Sequence, residues 1–228
     1  MAPATFSGIR ACVFDAYGTI FDFNSAAARC RDALGDKAAS VSALWRDKQI
    51  QYTWLRSLMG RHADFWQVTG EALDYVLDAL DVRTPGVKER LLDCYLTLDC
   101  FPEVPDLLKR LKAAGLKTAI LSNGSPKMLA AAVAGAKLGP LLDAVLSVEE
   151  VGIFKPDMRI YRLATDRLGL PPSAISFQSS NAWDAHGAGV FGFKVAWCNR
   201  YGQRPERLPG KPDAEIRTLA ELPGLLGL

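Results

Sequence analysis

No two cysteines in this chain stand at the close CxxC spacing of a metal-binding or redox site. The five present, Cys12, Cys30, Cys94, Cys100 and Cys198, are odd in number and scattered over 228 residues. They read as free thiols in a reducing cytosol, not as a disulfide framework. An excess of one charge is also missing: 27 Lys and Arg face 25 Asp and Glu, a net charge of +2, which gives no broad attraction to nucleic acid or to an anionic membrane. The nearest approach to a basic run, Lys109, Arg110, Lys112 and Lys117, falls at helical spacing and reads as a solvated helix face. No stretch is long and apolar enough to cross a bilayer, and Met1 to Arg10 has neither a basic nor an apolar leader region, so the chain is expected in the cytoplasm. Repeats and low-complexity segments are absent.

What is present is an ordinary globular composition, 49% hydrophobic and 23% charged, in a chain long enough for one large α/β domain with an insertion or for two small domains sharing an interface. Ile9 to Ala16 is a nearly continuous apolar run, the pattern of a parallel strand buried on both faces. Comparable runs recur at Lys117–Leu121, Ala144–Val148, Ala174–Phe177 and Lys194–Cys198, interleaved with helical patterns such as Val104–Ala114 and Asp157–Leu168. That alternation predicts a Rossmann-like, doubly wound parallel sheet. Between Phe21 and Asp99 the alternation stops, and Ser42–Met59 and Glu71–Leu80 place apolar residues at helical intervals, which predicts an inserted helical domain. Residues 1–20 and 100–228 are thus expected to form the core and residues 21–99 the insertion. Ser125-Pro126 has the look of an N-cap followed by proline at the first helical position.

In open parallel sheets ligands sit beyond the C-terminal strand ends. Four polar clusters fall there: Asp15-Ala-Tyr-Gly-Thr19, Leu121-Ser-Asn-Gly124, Phe154-Lys-Pro-Asp157 and Gln178-Ser-Ser-Asn-Ala-Trp-Asp184. A strand-end Asp stripped of water and held by donors is a competent nucleophile; it is also a common loop cap, and Asp15 alone does not separate the two. Lys155 can pair with Asp15 and keep it ionised, while the hydroxyls of Thr19 and Ser122 are suited to hydrogen-bond its oxygens. Asn181 and Asp184 are suited to position a hydrolytic water, or to cap a helix, or both.

These four clusters in this order resemble the haloacid dehalogenase superfamily over nearly the whole chain, and in detail its L-2-haloacid dehalogenase branch. Most superfamily members are Mg-dependent phosphatases with a second Asp two residues after the nucleophile, which protonates the leaving alkoxide. Tyr17 stands there instead, and a halide needs no proton. Leu44 to Met59 closely resembles the cap helix whose Arg receives the halide, here Arg46. The resemblance therefore implies that Asp15 attacks the α-carbon of a small L-2-haloacid with inversion, that Arg46 and Asn123 stabilise the departing halide, and that water then cleaves the ester to a D-2-hydroxyacid. It implies that Ser122 and backbone N–H groups of the first loop, Ala16 and Tyr17 included, hold the substrate carboxylate. It further assigns Lys155, Tyr161, Ser179, Asn181 and Asp184 to orientation, charge balance and ester hydrolysis, and Tyr17, Ile50, Phe65 and Trp183 to an apolar pocket. No cofactor or metal is implied, the partners are substrate and halide, and a homodimer is expected by analogy.

Three positions depart from the family pattern. Asp47 follows the halide Arg where Gln is expected and can hold Arg46 in an ion pair or weaken anion binding at the site; Phe154 precedes Lys155 where Tyr is common; His186, two residues after Asp184, suits either a proton relay or a bystander on the helix. His62 takes no role. From residue types alone Tyr161 reads as a half-buried tyrosine packing a helix on the sheet. Two rival readings stay open here: a phosphatase with Mg²⁺ on Asp15 and Asp184, and a catalytically silent scaffold binding a partner through its cap. Convergence of Asp15, Thr19, Arg46, Ser122, Lys155, Asn181 and Asp184 in one cleft favours catalysis, and their dispersal excludes it.

Overall fold

A computed structural model describes residues 6–228; the expectation of a core starting at residue 1 and the leaderless reading of the N-terminus fall in part on residues 1–5, outside the described residues. In chain order the strands are β1 (Ala11–Phe14), β2 (Phe21–Asp22), β3 (Asp99–Cys100), β4 (Lys117–Ser122), β5 (Ala144–Ser147), β6 (Ile175–Ser179), β7 (Lys194–Cys198) and β8 (Ala214–Ile216). The helices are α1 (Asn24–Arg29), α2 (Arg31–Leu34), α3 (Ala38–Met59), α4 (Phe65–Ala79), α5 (Val87–Leu96), α6 (Val104–Ala113), α7 (Pro126–Gly135), α8 (Met158–Leu168), α9 (Ala182–Phe191) and α10 (Leu222–Leu226). Six strands form one parallel sheet in the order β5-β4-β1-β6-β7-β8. This is the doubly wound order in which the chain leaves the central strand first to one side and then to the other.

The central place of β1 follows from its sequence. Ala11, Cys12, Val13 and Phe14 are all completely buried, as a strand covered by helices on both faces must be. Regular pairing is shorter than the apolar run suggests, but its hydrogen bonds continue beyond it: Asp15 N–H donates to Gln178 O at 2.9 Å. The backbone of Asp15 is therefore fixed by the sheet while its side chain stands past the strand end.

The helical insertion leaves and returns through β2 and β3, which pair antiparallel with Phe21 opposite Cys100 and Asp22 opposite Asp99. The two chain crossings are thereby tied side by side. Within the insertion α3 lies on α4, where Trp45 Nε1 donates to Thr69 O at 2.9 Å and Gln49 Nε2 to Thr69 Oγ1 at 2.7 Å. Helix α7 begins as its sequence suggests, with Ser125 extended at the N-cap and Pro126 first, though Ser125 makes no side-chain cap. No helix among the described residues is long and apolar enough to cross a membrane.

Candidate active site

The chain between β1 and β2 turns sharply. Gly18 has φ +90, and a Cβ there would stand 2.8 Å from Ser180 Oγ, so only glycine fits on both counts. The N–H groups of Thr19, Ile20 and Phe21 all reach Ala16 O, and that of Gly18 reaches Phe21 O. Among the described residues this leaves the N–H groups of Ala16 and Tyr17 outside the loop's own hydrogen bonds.

Asp15 is 6% exposed and gripped on both oxygens. Lys155 Nζ lies 3.1 Å from Oδ1; Asn181 Nδ2 donates to Oδ2 at 2.8 Å and Thr19 Oγ1 at 3.2 Å. Thr19 is itself placed by Ser180 N–H, 2.8 Å from its hydroxyl oxygen. The same ammonium reaches Asp184 Oδ2 at 2.9 Å, and Tyr161 O–H donates to Asp184 Oδ1 at 2.8 Å. The result is a buried chain of hydrogen bonds, Thr19 and Asn181 to Asp15, then Lys155, Asp184 and Tyr161, in which charge-assisted bonds dominate.

Two carboxylates sharing one ammonium out of water set the titration of the cluster. Burial opposes the charge on Lys155, but Asp15 and Asp184 outweigh it and hold its pKa above the ordinary lysine value. Asp184 is raised above the usual carboxylate value, by burial first and then by Asp15, against the opposing pull of Lys155. Burial, with Asp184 adding to it, puts Tyr161 well above the ordinary phenol. Tyr161 is completely buried, not the half-buried packing residue its helix position suggests.

Asn181 occupies the N-cap of α9 and Asp184 its first turn, yet α9 has no side-chain cap. Their polar atoms are spent elsewhere: Asn181 on Asp15, on Tyr17 O at 3.2 Å and, through Oδ1, on Arg46 Nη2 at 3.0 Å; Asp184 on Lys155 and Tyr161. An empty cap costs on the order of 1 kcal/mol, and here that loss accompanies the site. Ser179 Oγ takes over part of the work by accepting Asn181 N–H at 3.2 Å.

Across the cleft, α3 of the insertion supplies Arg46. Beyond Asn181 it donates to Gln49 Oε1 at 2.9 Å and stands 5.1 Å from the Phe23 ring centre. Among the described residues its Nε and the hydroxyl of Tyr17 are buried without a hydrogen-bond partner. Unpartnered buried donors are costly, so the guanidinium keeps one donor, and the phenol another, ready for an acceptor. Ile50 and Trp183 line a cavity of about 430 Å³ with Arg46, Asn181 and Trp54. Tyr17 and Phe65 stand apart from that lining in a buried aromatic group, 5.8 Å between ring centres, with Tyr95 stacked on Tyr17 at 5.5 Å. Gly124 admits the Tyr17 ring, since a Cβ there would lie 2.8 Å from it.

Several expectations need correction. Ser122 Oγ does not bond Asp15; it accepts Gly124 N–H at 3.0 Å, closing the turn after β4, while Asp15 is already filled by three donors. Asn123 accepts Lys155 N–H at 3.0 Å through Oδ1, which braces the lysine loop and leaves the halide role expected of its amide donor as it stood. Asp47 is exposed and makes no ion pair with Arg46, because the guanidinium turns inward to Gln49 and Asn181. His186 Nδ1 lies 2.9 Å from Pro209 O and ties α9 to the loop after β7, in keeping with the bystander alternative. Phe154 packs 4.8 Å from the His62 ring, and His62 pairs with Glu149 at 2.8 Å.

Four residues of the site carry no prediction from the sequence. Gln49 lies one turn from Arg46 on the same helix face, a signal available from spacing. Ser180 lies inside a recognised cluster, and Tyr95 had no polar pattern to reveal it. Arg200 follows the C-terminal end of β7, where the strand-end rule applies. It donates to Thr19 O at 2.9 Å, pairs with Glu103 at 2.6 Å and lies 3.8 Å over the Phe101 ring, so it fastens the Asp15 loop to the segment just past β3.

A doubly wound sheet, a helical cap and a strand-end carboxylate held by lysine, threonine and asparagine define an α/β enzyme of the capped hydrolase type. The chain belongs to the haloacid dehalogenase-like hydrolase family, whose model matches residues 9–192. It is 47% identical to (S)-2-haloacid dehalogenase 1 of Pseudomonas sp. (strain CBS-3), with 96% of each chain covered. It is 50% identical to the (S)-2-haloacid dehalogenase of Pseudomonas sp. (strain YL), over 92% of this chain and 91% of that one. Among solved structures, the L-2-haloacid dehalogenase from Xanthobacter autotrophicus with chloropropionic acid covalently bound superposes with a TM-score of 0.88 at 39% identity, covering 95% of this chain and 98% of the other.

Proposed function

We propose that the protein hydrolyses small (S)-2-haloacids to (R)-2-hydroxyacids and halide, with inversion and without a metal, through an ester on Asp15. The observation that carries this reading is the buried Asp15 carboxylate held by Lys155, Asn181 and Thr19 with Tyr17, not a second Asp, two residues on. The relatives' names support the substrate class.

In the first step one Asp15 oxygen attacks the α-carbon, and the carbon–halogen pair departs with the halide, which takes no proton. Arg46, whose Nε–H is spare, and Asn123 receive the growing negative charge; preorganised donors of this kind are the largest catalytic contribution in many enzymes. The N–H groups of Ala16 and Tyr17 and the Ser122 end of β4 face the substrate carboxylate. In the second step water attacks the ester carbonyl carbon. Asp184, whose raised pKa makes it a better base, takes the water's proton and returns one to the departing product oxygen. Water's oxygen remains in Asp15, and Lys155 balances the charge of the two carboxylates throughout. Ile50 and Trp183 shape the cavity, Tyr17 and Phe65 belong to the buried aromatic group apart from its lining, and Tyr161 and Ser179 hold Asp184 and Asn181 in place.

Core 1–20 and 100–228 with cap 21–99 follows the same reading, as does work in the cytoplasm. A homodimer is supported by the apolar stripe on α3, where Leu58 is 84% and Met59 64% exposed beside Trp54 and Leu55, more than a lone surface residue explains. The test of the activity is halide release from L- and D-2-chloropropionate in EDTA. Release from the L form alone is expected; silence on both, with Mg²⁺-dependent phosphate release from a phosphomonoester, replaces this reading with a phosphatase.

A further inference from the structure

Two of the five cysteines meet in space although 64 residues separate them: Cys30 Sγ and Cys94 Sγ lie 3.8 Å apart. Cys30 sits at the junction of α1 and α2 and is completely buried; Cys94 is on α5 and half-buried. Neither contributes to the catalytic cluster or to the cavity beside it.

The seam that brings the thiols together is fastened on both sides. Arg29, adjacent to Cys30, donates to the carbonyl and hydroxyl of Thr97 and pairs with Asp99 at 3.2 Å. Arg90, one turn before Cys94, grips both oxygens of Asp32 at 2.7 and 2.8 Å and donates to Arg29 O at 3.0 Å. These contacts hold α1 and α2 against α5 in one register, so the sulfurs meet by construction. A disulfide needs about 2.05 Å between sulfurs, so each has to move by roughly 0.9 Å, within reach of a small side-chain rotation.

We propose that Cys30 and Cys94 form a reversible disulfide that braces the cap when the protein meets glutathione disulfide. The half-buried Cys94 thiolate attacks the oxidant, forming a mixed disulfide and releasing one glutathione thiolate. The Cys30 thiolate then attacks the Cys94 sulfur and releases the second glutathione. Two protein thiols are oxidised, the disulfide of the oxidant is reduced, and two protons go to solvent. Burial and the neighbouring Cys94 thiol push the Cys30 thiol up to about 11, so the closing step is slow near neutrality and speeds up about tenfold per pH unit below that value. A reducing cytosol keeps the pair open, and oxidative conditions close it.

The bond would join the start of the cap to its end and close a loop of 64 residues. Such a link raises the melting temperature chiefly by restricting the unfolded chain, and a shift of about 5–10 °C is expected for a protein of this size.

The experiment treats the full-length protein with glutathione disulfide at pH 7.5 and 8.5, blocks remaining thiols in denaturant, and reads intact mass, peptide map and melting temperature. Expected are two fewer free thiols, a cross-linked Cys30–Cys94 peptide forming faster at pH 8.5, a higher melting temperature, and full reversal by dithiothreitol. Cys94→Ser should abolish all of these, and Cys100→Ser none. Five free thiols after prolonged treatment, a different cysteine pair, or glutathione mixed disulfides that never close overturns the proposal. Because mass and melting are read without substrate, failure here is separate from failure of the dehalogenase reading.

Discussion

On the core wall of the cleft, Asp15, Lys155, Asp184 and Tyr161 are buried and each satisfied by a partner within 3.2 Å. On the cap wall, Arg46 is half-buried, with one nitrogen unpartnered among the described residues, and its cavity neighbours on the same helix are Ile50 and Trp54 together with the polar Asp47 and Gln51. The core wall is satisfied throughout these four side chains, as a buried polar network must be to be stable. The cap wall has donor capacity left over, which is what an incoming anion requires. Under the proposed mechanism the contrast amounts to a division of labour: the core holds the Asp15 carboxylate and its hydrogen-bond chain, while the cap offers a spare donor.

The largest effect should come from the core wall. Asp15→Asn retains size and shape but not the charge needed to displace a halide, so turnover should fall at least about 10⁴-fold with an unchanged circular dichroism spectrum. Full activity in this variant removes Asp15 as nucleophile. Lys155→Met comes next. It leaves two buried carboxylates without their shared cation, and breaking a buried pair in this way costs about 3–5 kcal/mol. A melting temperature lower by roughly 10 °C and turnover down about 10³-fold are expected; unchanged melting would mean the pair is not held as described.

The cap wall should respond differently. Arg46→Ala should cost about 10²-fold in turnover, the scale for losing a preorganised donor, and leave the melting temperature nearly unchanged because the residue is only half-buried. A large loss of stability there would erase the distinction between the walls. Arg200→Gln tests the connection behind the core wall. Through Thr19 O it positions the Asp15 loop, so kcat should fall about tenfold with KM within twofold, and Arg200→Lys should restore part of it. A change in KM alone would point to the cavity instead.

The smallest effect is a displacement in pH. Asp184 acts as a base only when ionised, and its pKa is raised. The acid limb of kcat, or of ester hydrolysis followed in a single turnover, should therefore lie above the ordinary aspartate value, with activity lost as pH falls through it. Lys155 is raised in the folded protein; its favourable contribution is fully present below the ordinary lysine pKa and is lost only as pH rises through the elevated value. An acid limb at the pKa of a free aspartate would indicate that another group activates the water.

Much of the core was legible because strand runs and strand-end clusters are local patterns. Asp15, Lys155 and Asp184 lie in three separate clusters, and the strand-end rule selected all three. Ser122 shows where that rule stops: it marks the right end of β4 without saying whether the hydroxyl turns to Asp15 or to Gly124 N–H. Arg46 needed the family resemblance, since a single Arg on a helix otherwise reads as surface. Arg200, just past the end of β7, and Gln49, one turn from Arg46, carry local signals of position and spacing. The meeting of Cys30 and Cys94 had no local sign, because nothing within either segment refers to the other.

By itself the sequence determined the alternation of strands and helices, the helical insertion after β1 and the identity of the strand-end carboxylate, since each depends on periodicity or on nearest neighbours along the chain. The tertiary structure alone decided which groups Asp15 shares, that Asn181 and Asp184 give up capping α9, where His186 anchors the loop after β7, and that two distant thiols touch. Those outcomes depend on packing one element against another, where a displacement of about 1 Å separates a hydrogen bond from none.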